Sequence, residues 1–169
     1  MDDVSTLCDQ LMSWAAINSG SQNIPGLDRM RAALRVGFAV VNGATIEDVP
    51  LPGSRACALR VRQRPAAPVQ ILLSGHYDTV YGADHPFQTC EQLAADTLRG
   101  PGVANMKGGI VVMLAALREF ERSPQASRVG WEVLLTPDEE TGSVASRPIL
   151  EAAAQPVGQP EAVGERRLG

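Results

Sequence analysis

The chain has 169 residues, enough for one domain with a real core, and 44% of them are hydrophobic, which excludes a disordered chain. A formal net charge of −4 without any basic tract argues against nucleic acid as the main partner. No apolar run approaches the ~18 residues that a membrane span needs, and the acidic start MDDVSTLCDQ is unlike a secretory signal, so a cytoplasmic location is expected.

Residues 3–18 predict an amphipathic helix, with Val4, Leu7, Cys8, Leu11, Met12 and Ala15 at three- and four-residue spacing. Asn18-Ser19-Gly20-Ser21 closes it. A second helix starts near Pro25-Gly26, with Leu27, Met30, Leu34, Phe38 and Val41 on one face, and runs to Asn42-Gly43. Arg29, Arg31 and Arg35 form its solvated side. Two strands follow at 44–49 and 57–63, separated by Pro50, Pro52 and Gly53. The three cysteines, Cys8, Cys57 and Cys90, are widely spaced and read as reduced thiols in the core.

Val69–Ser74 is the central strand, and ILLSGHYD places His76 and Asp78 at its C-terminal end. In open α/β sheets that edge is where ligands bind. Neutral imidazole is a good zinc ligand, and a carboxylate beside it can take the second ring N–H and fix the tautomer. A hydrogen-bonded loop histidine is the plainer alternative. Residues 79–105 form a long irregular segment, of the kind that is functional or disordered. Lys107-Gly108-Gly109 opens a deeply buried helix over 108–122. VGWEVLLT, 129–136, is another strand, followed by Pro137-Asp138-Glu139-Glu140-Thr141-Gly142 and a helix over 143–154. Alternating strands and helices imply an α/β fold with a mainly parallel sheet covered by helices. From Gln155 the apolar periodicity is lost, which suggests a disordered tail or a frameshifted or truncated reading frame.

Three loops at strand ends therefore carry candidate groups: His76 and Asp78, GPGVANMKGG with Asn105, and Glu139-Glu140. Adjacent glutamates diverge, so one can bind a metal while the other faces a water as general base. They also suit a helix N-terminus, and both readings stand on residue type alone. His85 reads as a surface or packing residue, Lys107 as a solvated one, and Trp14 and Trp131 as core or half-buried aromatics.

GHYDTV, GPGVANMKGG and PDEETGS, in this order and spacing, resemble the zinc-dependent family of acetylornithine deacetylase, succinyl-diaminopimelate desuccinylase, aminoacylase and carboxypeptidase G. The resemblance covers roughly residues 1–153, and HPFQTC favours the carboxypeptidase G-like branch. It implies a zinc-exopeptidase-like catalytic domain, incomplete here, with residues 1–154 its N-terminal part, 155–169 an aberrant tail and the lid and dimerisation domain absent. It further implies that His76 binds one zinc, Asp78 orients it, Glu139 is the base and Glu140 binds the other zinc. Asn105 falls where the family's G-V-A-D-M-K-G-G motif has an aspartate bridging both metals. A carboxamide offers one neutral oxygen and an NH2 donor, so one metal or none is plausible in this chain. The implied substrate is a small peptide or N-acyl amino acid, with no nucleic acid and no membrane as partner. Three outcomes follow: a hydrolase, a truncated inactive relative that binds at most one metal weakly, or a fragment that works when a second chain complements it.

Overall fold

A computed structural model of the protein describes residues 3–155. Helix α1, Val4–Ala15, buries Trp14 and Ala15 and stops three residues before the expected end. Ala16 and Ile17 donate to Met12 and Trp14 in a tightened last turn, and Asn18 then leaves the helix. The Asn18 side chain ties this exit to the segment after Asp78 through Tyr81 O at 3.1 Å and Gln88 Oε1 at 2.7 Å. Helix α2, Ile24–Phe38, has Pro25 in its first turn, where the missing N–H costs nothing, and Asn23 caps it by accepting from Gly26 N at 3.2 Å. A Cβ on Gly26 would lie 2.1 Å from Asn18 O, so only glycine lets the two turns touch. Leu27, Met30, Leu34 and Phe38 form its fully buried face, as their spacing predicts. The helix ends at Phe38 rather than Asn42-Gly43, because successive turns through Val41 and Ala44 replace helical bonds. Its arginines are not simply solvated. Arg31 and Arg35 both pair with Asp48, the latter at 2.7 Å, and fasten α2 to the first strand.

One four-stranded sheet has the order β1-β2-β6-β3, with β1 Thr45–Pro50, β2 Cys57–Gln63, β3 Val69–His76 and β6 Val129–Thr136. The expected α/β class and helix-covered sheet are found. The sheet is mixed. β3 and β6 run parallel because the long connection through α3, Gly108–Phe120, carries the chain back to the same end. The short turn through Pro52-Gly53 makes β1 and β2 antiparallel, and β2 is antiparallel to β6. The segment 79–105 is not wholly irregular. It holds a hairpin, β4 Glu91–Ala94 with β5 Thr97–Arg99, whose short, largely exposed strands have no apolar alternation to betray them. Helix α4, Arg147–Ala153, is shorter than expected. Asp138 Oδ2 accepts from Ala145 N at 2.9 Å and Ser146 N at 3.1 Å, so residues 143–146 turn instead of starting the helix. The tail expected from Gln155 lies, from residue 156 on, outside the described residues.

The main core sits between the sheet and α1, α2 and α3, and includes Trp14, Phe38, Leu59, Tyr77, Ile110 and Trp131. The three cysteines are free thiols at its margin rather than in its centre. Helix α3 is buried on one face only, through Ile110, Val111, Leu114 and Leu117, while Val112 is 65% exposed. The other face borders a groove of about 370 Å³ lined by Ile71, Leu73, Val112, Met113, Phe120 and Trp131. β3 is an edge strand among the described residues, and it carries no charge from Val69 to Ser74. Such an edge invites pairing with another chain. Ile71 is 45% exposed, so Ile71→Lys should reduce concentration-dependent association in sedimentation velocity while shifting the unfolding free energy by no more than ~1 kcal/mol.

Candidate metal centre

The site grows from the register of the parallel pair β3 and β6. His76 pairs with Thr136, so β3 and β6 end level and the loops that leave them run side by side. Tyr77 points into the core, and His76 and Asp78 point the other way, as alternation along an extended segment requires. Asp78 is 1% exposed and collects four donors. Its oxygens accept from His76 Nδ1 at 3.1 Å, Ser21 Oγ at 2.7 Å and the backbone N–H groups of Glu139 and Glu140, each at 3.2 Å. One buried carboxylate thus orients the imidazole and holds the glutamate turn in place. Ser21 was not foreseen, because nothing in a turn serine marks it as a partner of a residue 57 positions away.

With Nδ1 taken, His76 Nε2 faces outward, 3.6 Å from Glu139 Oε2. One ligand atom each from His76, Glu139 and Glu140 lie within 4.8 Å of one another. The third loop, Val103–Lys107, brings Asn105 against them. Gly102 starts this loop at φ +75°, where a Cβ would meet Thr79 Cγ2 at 3.0 Å. Met106 Sδ accepts from His76 N at 3.3 Å, and the Asn105–Met106 peptide bond is cis. Lys107 is not solvated. It is 1% exposed, and its Nζ donates to Trp14 O at 3.1 Å and Ile17 O at 2.8 Å, pinning the loop to the end of α1. Burial pulls its ammonium down to about 8. Its place next to two glycines was the available signal, since a helix entry that packs closely leaves little room for water. His85 is exposed and stacks near Tyr81, away from the centre.

The Asn105 side chain lies between two of the other groups, its Oδ1 3.1 Å from His76 Nε2 and its Nδ2 donating to Glu140 Oε1 at 3.2 Å. An imidazole and one carboxylate can hold a zinc-sized divalent ion while the second carboxylate stands beside it. The group beside them at position 105 is a neutral amide, which brings no anionic charge to the cluster.

The family model for Peptidase family M20/M25/M40 matches residues 72–165, more than half of the chain. The chain belongs to this family. The motifs at His76, Asn105 and Glu139-Glu140 all fall within the match, in agreement with the resemblance they carry. Acetylornithine deacetylase from Erwinia tasmaniensis is 32% identical over 117 residues, covering 66% of this chain and 30% of that protein. Carboxypeptidase G2 from Pseudomonas sp. is 33% identical over 85 residues, covering 50% of this chain and 20% of that protein. The M20 family metallo-carboxypeptidase Sso-CP2 from Sulfolobus solfataricus shares the fold at a TM-score of 0.72 and 19% identity, over 90% of this chain and 34% of that one. Human carnosine dipeptidase 1 does so at 0.71 and 21%, over 88% and 35%. The chain thus spans about a third or less of these relatives.

Burial opposes a charge on His76, but the hydrogen bond to Asp78, with Asn105 and Glu139 nearby, raises it from 6.5 to about 9. A raised value stabilises the metal-free fold fully below about pH 6.5, and that contribution is lost as pH rises through about 9. A metal needs the neutral ring, so zinc affinity should rise about tenfold per pH unit from roughly 6.5 towards 9, and a flat profile in calorimetric titrations would contradict this. Asp78→Asn should lower stability by about 2–4 kcal/mol in denaturant unfolding and zinc affinity by about 10–100-fold, because several donors lose their acceptor at once.

Proposed function

We propose that this chain carries the metal-binding part of a zinc hydrolase that cleaves a peptide or N-acyl amide bond next to a free carboxylate, of carboxypeptidase or deacylase type. The convergence of His76, Glu139 and Glu140 within 4.8 Å at the ends of β3 and β6 carries this reading. His76 and Glu140 would hold zinc, and Asp78 keeps the imidazole turned towards it. Bound zinc would polarise a water and the substrate carbonyl. Glu139 has the geometry of the base. Its side chain is 51% exposed, it is anchored by its own N–H to Asp78, and its carboxylate reaches the rim of the cluster. It can take a proton from the attacking water and return it to the leaving nitrogen. The names of the relatives, a deacetylase, a carboxypeptidase and a dipeptidase, support small peptides and N-acyl amino acids as the substrate class.

A second reading, an inactive relative that binds at most one metal weakly, draws on the amide at position 105. Zinc-loaded chain should be assayed on dipeptides and N-acetyl amino acids. The hydrolase reading expects turnover that Glu139→Gln lowers by about 10²–10⁴-fold with zinc content kept. His76→Ala should lose the zinc. Zinc binding without turnover on either substrate class would leave the inactive reading.

A further inference from the structure

We propose that Asp138 is a positioning residue for the two glutamates, fixing Glu139 and Glu140 through the backbone of the turn that carries them. This rests on the reading of Glu139 as base and Glu140 as zinc ligand. Neither glutamate is buried, so packing does not set where their carboxylates stand. The turn does, and two aspartates bind its amides. Asp78 takes the near end, through the N–H groups of Glu139 and Glu140. Asp138 takes the far end twice over. Its backbone carbonyl accepts from Thr141 N at 3.2 Å, Ser143 N at 2.8 Å and Thr141 Oγ1 at 3.1 Å. Its carboxylate Oδ2 accepts from Ala145 N at 2.9 Å and Ser146 N at 3.1 Å.

Between the two aspartates the chain reverses sharply, with Gly142 at φ +91° and Ser143 at φ +53°. A serine in the left-handed region is strained and persists only where its surroundings over-determine it. The bond from Ser143 N to Asp138 O, and the capture of Ala145 N and Ser146 N by Oδ2, supply that constraint. Without the carboxylate these amides are free to join a helix. Ser143 O already accepts from Arg147 N at 2.8 Å, a helical bond, so α4 can then begin about one turn earlier. That rewinds the residues directly behind Glu140 and draws both glutamates away from His76. Asp138 Oδ1 has no hydrogen-bond partner among the described residues, so the work falls to one oxygen. What matters is an acceptor at a fixed place, and charge is secondary.

The discriminating pair is Asp138→Asn and Asp138→Glu in the full chain, with zinc chloride as the probe and a chromophoric chelator as competitor. Asparagine removes the charge and keeps an acceptor oxygen in place. Glutamate keeps the charge and displaces the acceptor by a methylene. A positioning role predicts that Asp138→Glu binds zinc about 10–100-fold more weakly, as Asp138→Ala should, and that Asp138→Asn retains most of the affinity. An affinity that follows charge, kept in Asp138→Glu and lost in Asp138→Asn, overturns the proposal, and so does one affinity shared by all the proteins. If Asp138→Ala does not fold, the pair carries the test without it. A second measurement needs no zinc. The amides of Glu139 and Glu140 are bonded to Asp78, so hydrogen exchange there reports on Asp138 only through the turn. In chelator both should exchange several-fold faster in Asp138→Glu than in the unaltered chain, and unchanged rates sink the proposal. Should the unaltered chain bind no zinc, the hydrolase reading falls, and exchange at these two amides decides the role of Asp138.

Discussion

The buried carboxylate of Asp78 is the constraint on which the site depends. An anion taken out of water is costly unless hydrogen bonds replace its hydration. Here the replacements come from separate parts of the chain: a hydroxyl from the turn after α1, the imidazole two residues away, and two backbone N–H groups from the turn after β6. Each donor is satisfied only if its segment sits where it does. The same charge that orients His76 therefore sets the distance between His76 and the glutamates. The geometry of the candidate centre and its local stability share one cause.

The sheet makes that convergence possible. The long crossover through α3 makes β3 and β6 parallel neighbours, and their register ends both strands at the same level. Two loops then meet without further adjustment. The third loop needs more. It reaches the centre by a left-handed turn at Gly102, a sulfur contact from Met106 to the strand backbone, and a lysine buried against helix carbonyls. A buried ammonium is unfavourable in itself, and its two carbonyl partners at the end of α1 offset that. The N-terminal helix is thereby coupled to the position of Asn105 some ninety residues later in the chain.

What the third loop delivers is chemically unlike its surroundings. Imidazole and carboxylates attract cations strongly, whereas an amide offers one neutral oxygen and an NH2 donor. Its neutral oxygen and inward donor give the cluster internal partners. The protein belongs to a family of metallopeptidases and deacylases, and this one residue sets a neutral amide among the carboxylates and imidazole of its candidate centre.

Residue types alone made much of this legible. The periodicity of α2, the apolar runs of β3 and β6 and the position of His76 and Asp78 at a strand end are local properties, written in spacing that burial enforces. So is the departure at Asn105, since a carboxamide differs from a carboxylate wherever it lies. What the tertiary structure decided were relations between distant segments. Arg31 and Arg35 became a clamp on Asp48, Lys107 went inside, Ser21 joined Asp78, and Asp138 delayed the last helix by taking its first amides. None of these can be read from a neighbour in sequence, because a polar side chain is satisfied by whichever partner the fold brings within hydrogen-bond reach. The sequence by itself determined which chemistry was present at three loops. Only the parallel register and the buried carboxylate determined that the three loops would meet, and that Asn105 would face inward, its oxygen towards His76 and its donor towards Glu140.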